Sequence, residues 1–244
     1  MLEVEGVSKH FGGLQALQDV SFQAPAGAVT AIIGPNGAGK STLLDCLTGL
    51  TDMDRGRVLL RGAALGKGLL ARLVEVGIAR TFQNLRLFPS LSVLEHVLLA
   101  RHTFVRTARA RAAGRGLQRE ACLELLARVG LAGKARHGPD ALAYGEKRRL
   151  EIARALATEP HLLLLDEPAA GANAAEQQAL GTIIENIAAE GTAVVLVEHH
   201  IELVGRLARS VVVLNFGQVV VTGTIGEVRA HPEVISAYLG TATH

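Results

Sequence analysis

Eight consecutive residues, Gly34-Pro35-Asn36-Gly37-Ala38-Gly39-Lys40-Ser41, have the spacing G-x-x-x-x-G-K-S. The chemistry this spacing suits is the holding of a chain of phosphates. Glycines let the backbone curl until several N–H groups aim at one anion, and a helix opening at the end of the loop adds its positive end. Lys40 supplies a full charge to the outer phosphates, and the Ser41 hydroxyl is a hard oxygen donor for Mg2+. A second pattern lies far along the chain. Leu162-Leu163-Leu164-Leu165-Asp166-Glu167 is an apolar run that ends in two carboxylates. Such a run places Asp166 at the C-terminal edge of a sheet, where ligands of α/β sheets bind. Asp166 would there hold Mg2+ through water, and Glu167 would polarise an attacking water, a kind of help worth ~10²–10⁴ in rate.

Groups used in this way need a rigid frame. Residues 28–33, 162–165, 193–197 and 211–214 are continuous apolar runs, the pattern of strands buried on both faces. From Ser41 to Leu47, Leu43, Leu44 and Leu47 recur at helical spacing, with a stop near Gly49. From Glu176 to Ala189, Leu180, Ile183, Ile184 and Ile187 share one helical face. Strand and helix alternate at both ends of the chain, which predicts a parallel α/β sheet. From about Leu91 to Ala157 the pattern is nearly all helical, and this stretch reads as a helical insertion into the α/β core.

Composition narrows the class. An apolar share of 49% over 244 residues supports a substantial core and excludes a disordered chain. Aromatics make up only 3%, so the core must be aliphatic, and each aromatic elsewhere is worth locating. Cys46 and Cys122 alone exclude a disulfide scaffold or a Cys-rich zinc site. The expectation is a soluble, cytosolic chain. It shows no apolar leader and no run near the ~18–20 residues that cross a bilayer, so any membrane role would be exercised from the surface or through a partner. The net charge of +2 conceals an asymmetry. Positions 101–119 hold six arginines and no acid, leaving 19 basic against 23 acidic residues elsewhere. That segment reads either as a solvated arginine-rich face or as a contact for anionic lipid headgroups or an acidic partner.

Leu142-Ala143-Tyr144-Gly145-Glu146, just upstream of Asp166, resembles the signature motif of the ATP-binding subunits of ABC transporters. The resemblance covers nearly the whole chain. It implies a P-loop NTPase core with a mostly parallel sheet and flanking helices, an N-terminal antiparallel β subdomain and an inserted α-helical subdomain. The whole would form one domain over 1–244, with a core of about 1–84 and 159–244 and a helical subdomain of about 85–158. The resemblance also assigns roles. Gly34, Asn36, Gly37, Gly39, Lys40, Ser41 and Thr42 would hold the nucleotide, and Phe11 would stack on its adenine, although a Phe there also suits a core. Gln83, within Arg80-Thr81-Phe82-Gln83-Asn84, would join Ser41 and Asp166 at Mg2+. Glu167, Lys40 and His199 would be catalytic, His199 reaching the γ-phosphate. Ala143, Tyr144, Gly145 and Glu146 would reach the nucleotide of a second subunit in trans. The departures from Leu-Ser-Gly-Gly-Gln lie at Ala143, Tyr144 and Glu146, and His200 stands where an Asp is frequent.

Three local details resemble the branch that energises branched-chain amino-acid uptake: the Ala-Tyr-Gly signature, Pro168-Ala169-Ala170-Gly171-Ala172-Asn173, and Ala237-Tyr238-Leu239-Gly240. The implied protein hydrolyses ATP with Mg2+ as a homo- or heterodimer. It would sit at the cytoplasmic face of the membrane on membrane-spanning permease subunits, served indirectly by a solute-binding protein and without nucleic acid. The competing readings are an ABC ATPase for another solute or for lipid or polysaccharide export, a DNA-associated ABC ATPase, and a regulatory protein with idle motifs.

Overall fold

The computed structural model describes residues 1–83, 85 and 87–239, with backbone alone for 236–239. Asn84 and Gly240, and the side chains of Ala237 to Leu239, therefore lie outside what is described. A six-stranded sheet runs in the order β10-β9-β3-β8-β7-β6. Its strands are β3 (Val29–Ile33), β6 (Ile78–Arg80), β7 (Leu162–Asp166), β8 (Ala193–Val197), β9 (Ser210–Asn215) and β10 (Gln218–Gly223). All pairings are parallel except β9 with β10, a hairpin at one edge. A separate antiparallel sheet has the order β2-β1-β4-β5, built from β1 (Leu2–Phe11), β2 (Leu14–Ala24), β4 (Arg55–Leu60) and β5 (Ala63–Ala64).

The four apolar runs read from the sequence are the central strands β3, β7, β8 and β9, and every residue of β3, β7 and β8 is buried. Alternation along a strand sends neighbours to opposite faces. Leu163 and Leu165 accordingly pack in one cluster with helices α3 (Val93–Val105), α5 (Arg119–Arg128), α6 (Tyr144–Leu156) and α7 (Ala174–Ala189). Leu162 and Leu164 pack on the other side with α1 (Lys40–Thr48), α2 (Leu69–Val76) and the antiparallel sheet. A third cluster joins β9 to α8 (Ile201–Leu207), α9 (Ile225–Ala230) and α10 (Pro232–Leu239). Between Val93 and Leu156 the described residues form helices and turns without a strand, α4 (Ala108–Ala112) being the shortest α-helix.

The arginine segment is not the uniform charged face that its composition suggests. Arg101 is buried, and its Nη1 donates to Glu159 Oε1 at 2.8 Å. Arg109 donates to the carbonyls of Glu159 (2.6 Å), Thr158 (2.7 Å) and Val74 (3.1 Å). Both guanidinium groups lie over the buried Phe104 ring, at 5.0 and 4.7 Å from its centroid. Two of the six cations are thus turned inward to fasten the helical region to the turn before β7; Arg115, though exposed, also pairs with Glu159 at 3.2 Å, and Arg106, Arg111 and Arg119 are exposed too.

Candidate active site

The phosphate loop connects β3 to α1. Two of its glycines are dictated by space. A Cβ on Gly34 would stand 2.1 Å from the Leu214 carbonyl oxygen, and Gly39, at φ +100°, would put one 2.6 Å from the Ala16 oxygen. The β9–β10 hairpin buttresses the loop, with Gly217 N–H donating to the Ala38 carbonyl at 3.0 Å. Lys40 is almost fully buried, and its ammonium folds onto the loop, donating to the carbonyls of Gly34 (2.7 Å) and Pro35 (2.9 Å). Burial lowers its pKa, against the opposing pull of Glu167 and Asp166. Asn36, Gly37, Gly39, Lys40, Ser41 and Thr42 share one open depression of about 600 Å³ with Phe11, Gln83 and Glu167. Gly34 is not among its lining residues. Phe11, at the end of β1, is 49% exposed, with the Lys9 ammonium 5.3 Å from its ring centroid, so it is not a core residue.

Glu167, just past the end of β7, lines the same depression, whereas Asp166, the last residue of β7, does not. Asp166 is buried, and its Oδ2 accepts from Arg80 Nη2 at 3.1 Å. Burial raises its pKa, while the Arg80 hydrogen bond acts the other way. Glu167 adopts the left-handed region at φ 47°, rare for a residue with a Cβ. That turn aims its carboxylate at two partners: Gln83 Nε2 donates to Oε2 at 3.0 Å, and His199 Nε2 lies 2.5 Å from Oε1. Gln83 follows β6, Glu167 follows β7 and His199 follows β8, three adjacent parallel strands. Their convergence is the expected outcome at the carboxyl edge of such a sheet. His199 is steadied through its backbone N–H, which donates to the Glu198 carboxylate at 3.0 Å. Glu198, itself buried, also accepts from Ala169 N–H at 2.8 Å. His200 is exposed at the start of α8, and no metal-binding group of three or more His, Cys, Asp or Glu occurs among the described residues.

The signature lies at the start of α6, and two of its residues, Tyr144 and Gly145, line a different depression with Pro168, Ala170, Asn173 and Glu176. Ala143 is the residue before the first turn. Its N–H is accepted by Glu146 at 2.9 Å, and Lys134 Nζ donates to the same carboxylate oxygen at 2.6 Å. The Lys134 bond holds the Glu146 pKa below its usual value. Glu146 thereby caps its own helix. A Cβ on Gly145 would meet Glu176 Oε1 at 2.7 Å, so the Glu176 side chain would have to move to admit one. Tyr144 is 46% exposed, with its hydroxyl accepting from Arg148 at 2.8 Å. Within one chain the signature and the phosphate loop are not brought together.

Sequence reasoning passed over Arg148 and Arg80. Arg148, buried in α6, donates to the carbonyls of Phe82 (2.7 Å) and Gln83, tying the signature helix to the Gln83 segment. Arg80 follows the apolar pair Ile78-Ala79, a weak signal, and Arg148 stands among Glu146, Lys147, Arg149 and Glu151, where nothing in the sequence singles it out.

The chain matches the family described as "ABC transporter" over residues 17–170. It belongs to that family. It is accordingly an ATP-binding ATPase of the ABC type, with the mixed antiparallel and parallel architecture of such cassettes. Residues 218–244 match a second family, described as "Branched-chain amino acid ATP-binding cassette transporter". The chain is 39% identical to the high-affinity branched-chain amino acid transport ATP-binding protein LivG of Salmonella typhimurium, over 99% of this chain and 98% of that one. Among solved structures, the ADP conformation of an ATP-binding cassette of an ABC transporter aligns at TM-score 0.86 and 29% identity, covering 98% of each chain. A dimeric bacterial ABC transporter cassette aligns at TM-score 0.79 and 28% identity, covering 92% of this chain and 99% of that one.

Proposed function

We propose that this ATPase energises the import of amino acids, branched-chain ones foremost. It would work from the cytoplasmic face of the membrane on permease subunits, with a solute-binding protein delivering the cargo. The observation that carries the substrate is the full-length similarity to LivG together with the matching C-terminal segment. The dimeric reading rests on the geometry above. Loop and signature lie at separate depressions of one chain, an arrangement in which the signature residues Ala143, Tyr144 and Gly145 of a second subunit would complete a nucleotide site on the loop.

In this mechanism the phosphates lie on the backbone N–H groups of Asn36 to Ser41, and Lys40 exchanges the Gly34 and Pro35 carbonyls for phosphate oxygens. Phe11 supports the adenine. The donor set suits Mg2+: Ser41 hydroxyl, Asp166 carboxylate and Gln83 amide are all hard oxygen donors, and Arg80 engages only Oδ2 of Asp166. When bound, Mg2+ neutralises phosphate charge. Glu167 takes the proton of the attacking water. His199 holds Glu167 in place and reaches the γ-phosphate. Glu146 serves the site indirectly, by fixing the first turn of α6.

The test is reconstitution of the transporter in vesicles with its own permease and solute-binding protein. Leucine, isoleucine and valine should stimulate ATP hydrolysis and accumulate inside. Stimulation by a different solute class alone overturns the substrate, and solute release in the opposite direction overturns import.

A further inference from the structure

Arg80 has no part in the roles above, yet it stands where two of them meet. It is the last residue of β6, next to β7 in the sheet, and its side chain is only 6% exposed. Nη1 donates to Asp45 Oδ1 at 2.6 Å and reaches Thr48 Oγ1 at 3.4 Å, both on α1. Nη2 donates to Asp166 Oδ2 at 3.1 Å. The Phe82 ring lies 5.0 Å from the guanidinium carbon and covers it. One planar group thus spans the helix that opens from the phosphate loop and the carboxylate at the end of β7. A lysine could not bridge both in this way, because its single ammonium lacks the fork.

We propose that Arg80 is a positioning residue for the metal side of the site. It holds Asp166 by one oxygen, so that the other presents to Mg2+ at a fixed distance from Ser41 on α1. The proposal rests on the reading of Asp166 as a metal ligand. Its physical basis is that partners behind a ligating carboxylate orient it, and their loss typically weakens metal binding by roughly 10–100-fold. Asp45 belongs to the same device: it anchors Arg80 from the other side and balances its charge.

The test measures equilibrium affinity for a fluorescent, non-hydrolysable ATP analogue, once in excess Mg2+ and once in EDTA. The ratio of the two affinities is the gain due to metal. Arg80→Ala should lose at least about tenfold of that gain, or all of it where the gain is smaller, with affinity in EDTA unchanged because the loop is intact. Arg80→Lys should lose part of it, and Asp45→Asn should move in the same direction. Asp166→Asn is the reference. If Asp166→Asn keeps the full gain, the reading of Asp166 as a ligand fails. If Asp166→Asn loses it while Arg80→Ala keeps it, the role of Arg80 is overturned. A fall in EDTA affinity equal to that in Mg2+ would show Arg80 to be merely structural. If Arg80→Ala does not fold, Arg80→Lys and Asp45→Asn decide, and a full metal gain in both overturns the proposal.

Discussion

Replacing Arg109 with alanine tests whether the arginine segment is a fastening or a charged surface. The side chain makes three hydrogen bonds to carbonyls at 2.6, 2.7 and 3.1 Å and packs over Phe104. Hydrogen bonds to a charged group are worth about 1.5–3 kcal/mol each, so the gross loss is several kcal/mol. Part of that is returned, because burial disfavours this guanidinium, as its lowered pKa records. Removing one member of a buried charged set usually leaves a net cost of about 3–5 kcal/mol. Arg109 is only partly buried, which brings the expected cost to roughly 2–4 kcal/mol. For a chain of this size each kcal/mol moves Tm by about 2–4 °C, so a fall on the order of 10 °C is expected. Urea denaturation and calorimetry of Arg109→Ala should be read beside Arg111→Ala, whose side chain is exposed and whose loss should stay within about 0.5 kcal/mol. Equal effects of the two substitutions would refute the fastening.

Phe11→Ala should leave Tm unchanged and weaken ATP binding by roughly tenfold, since stacking of a base on an aromatic ring is worth ~1–3 kcal/mol; unchanged affinity would assign the exposed ring to another task. Asp54 accepts from the Lys9 side chain and from the His10 N–H, and these bonds lower its carboxyl to about 2 from 3.8. A depressed folded-state pKa means stability that is fully present above 3.8 and lost as pH falls through about 2. An NMR titration of the Asp54 carboxyl carbon should therefore show its midpoint near the lower value, and Asp54→Asn should flatten the stability profile in that window. A midpoint at the ordinary carboxylate value would remove the bridge between β1 and the residues before β4.

The parts of this molecule that were legible in the sequence are those where one physical demand fixes the residue type. The loop needs Gly34 and Gly39 because no side chain fits, and the strands β3, β7 and β8 need unbroken apolar residues because both faces are covered. The antiparallel sheet was legible only through the family resemblance. β1 and β2 shift register between Val4 and Val7, between Val7 and Lys9, and between Lys9 and His10, and these irregularities erase the alternation that would announce a strand. β6 is three residues long, too short for any period. At the site, Glu167 and His199 were readable as residues, but their contact was not, because it is made by a left-handed turn at Glu167. Arg101 and Arg109 misled for a related reason. Composition counts charge, and only the fold shows that Glu159 and three backbone carbonyls turn two of those charges inward.

In the proposed mechanism Glu167 drives hydrolysis at a site completed by a second subunit. Glu167→Gln removes the carboxylate while keeping its shape, and it can be followed by steady-state turnover, by nucleotide retained on the protein, and by light scattering for mass. The expected result is a loss of turnover of about 10²–10⁴, undiminished ATP binding, and a dimer that persists only while ATP is bound. Turnover within a few-fold of the unaltered protein, or a monomer at saturating ATP, would contradict it.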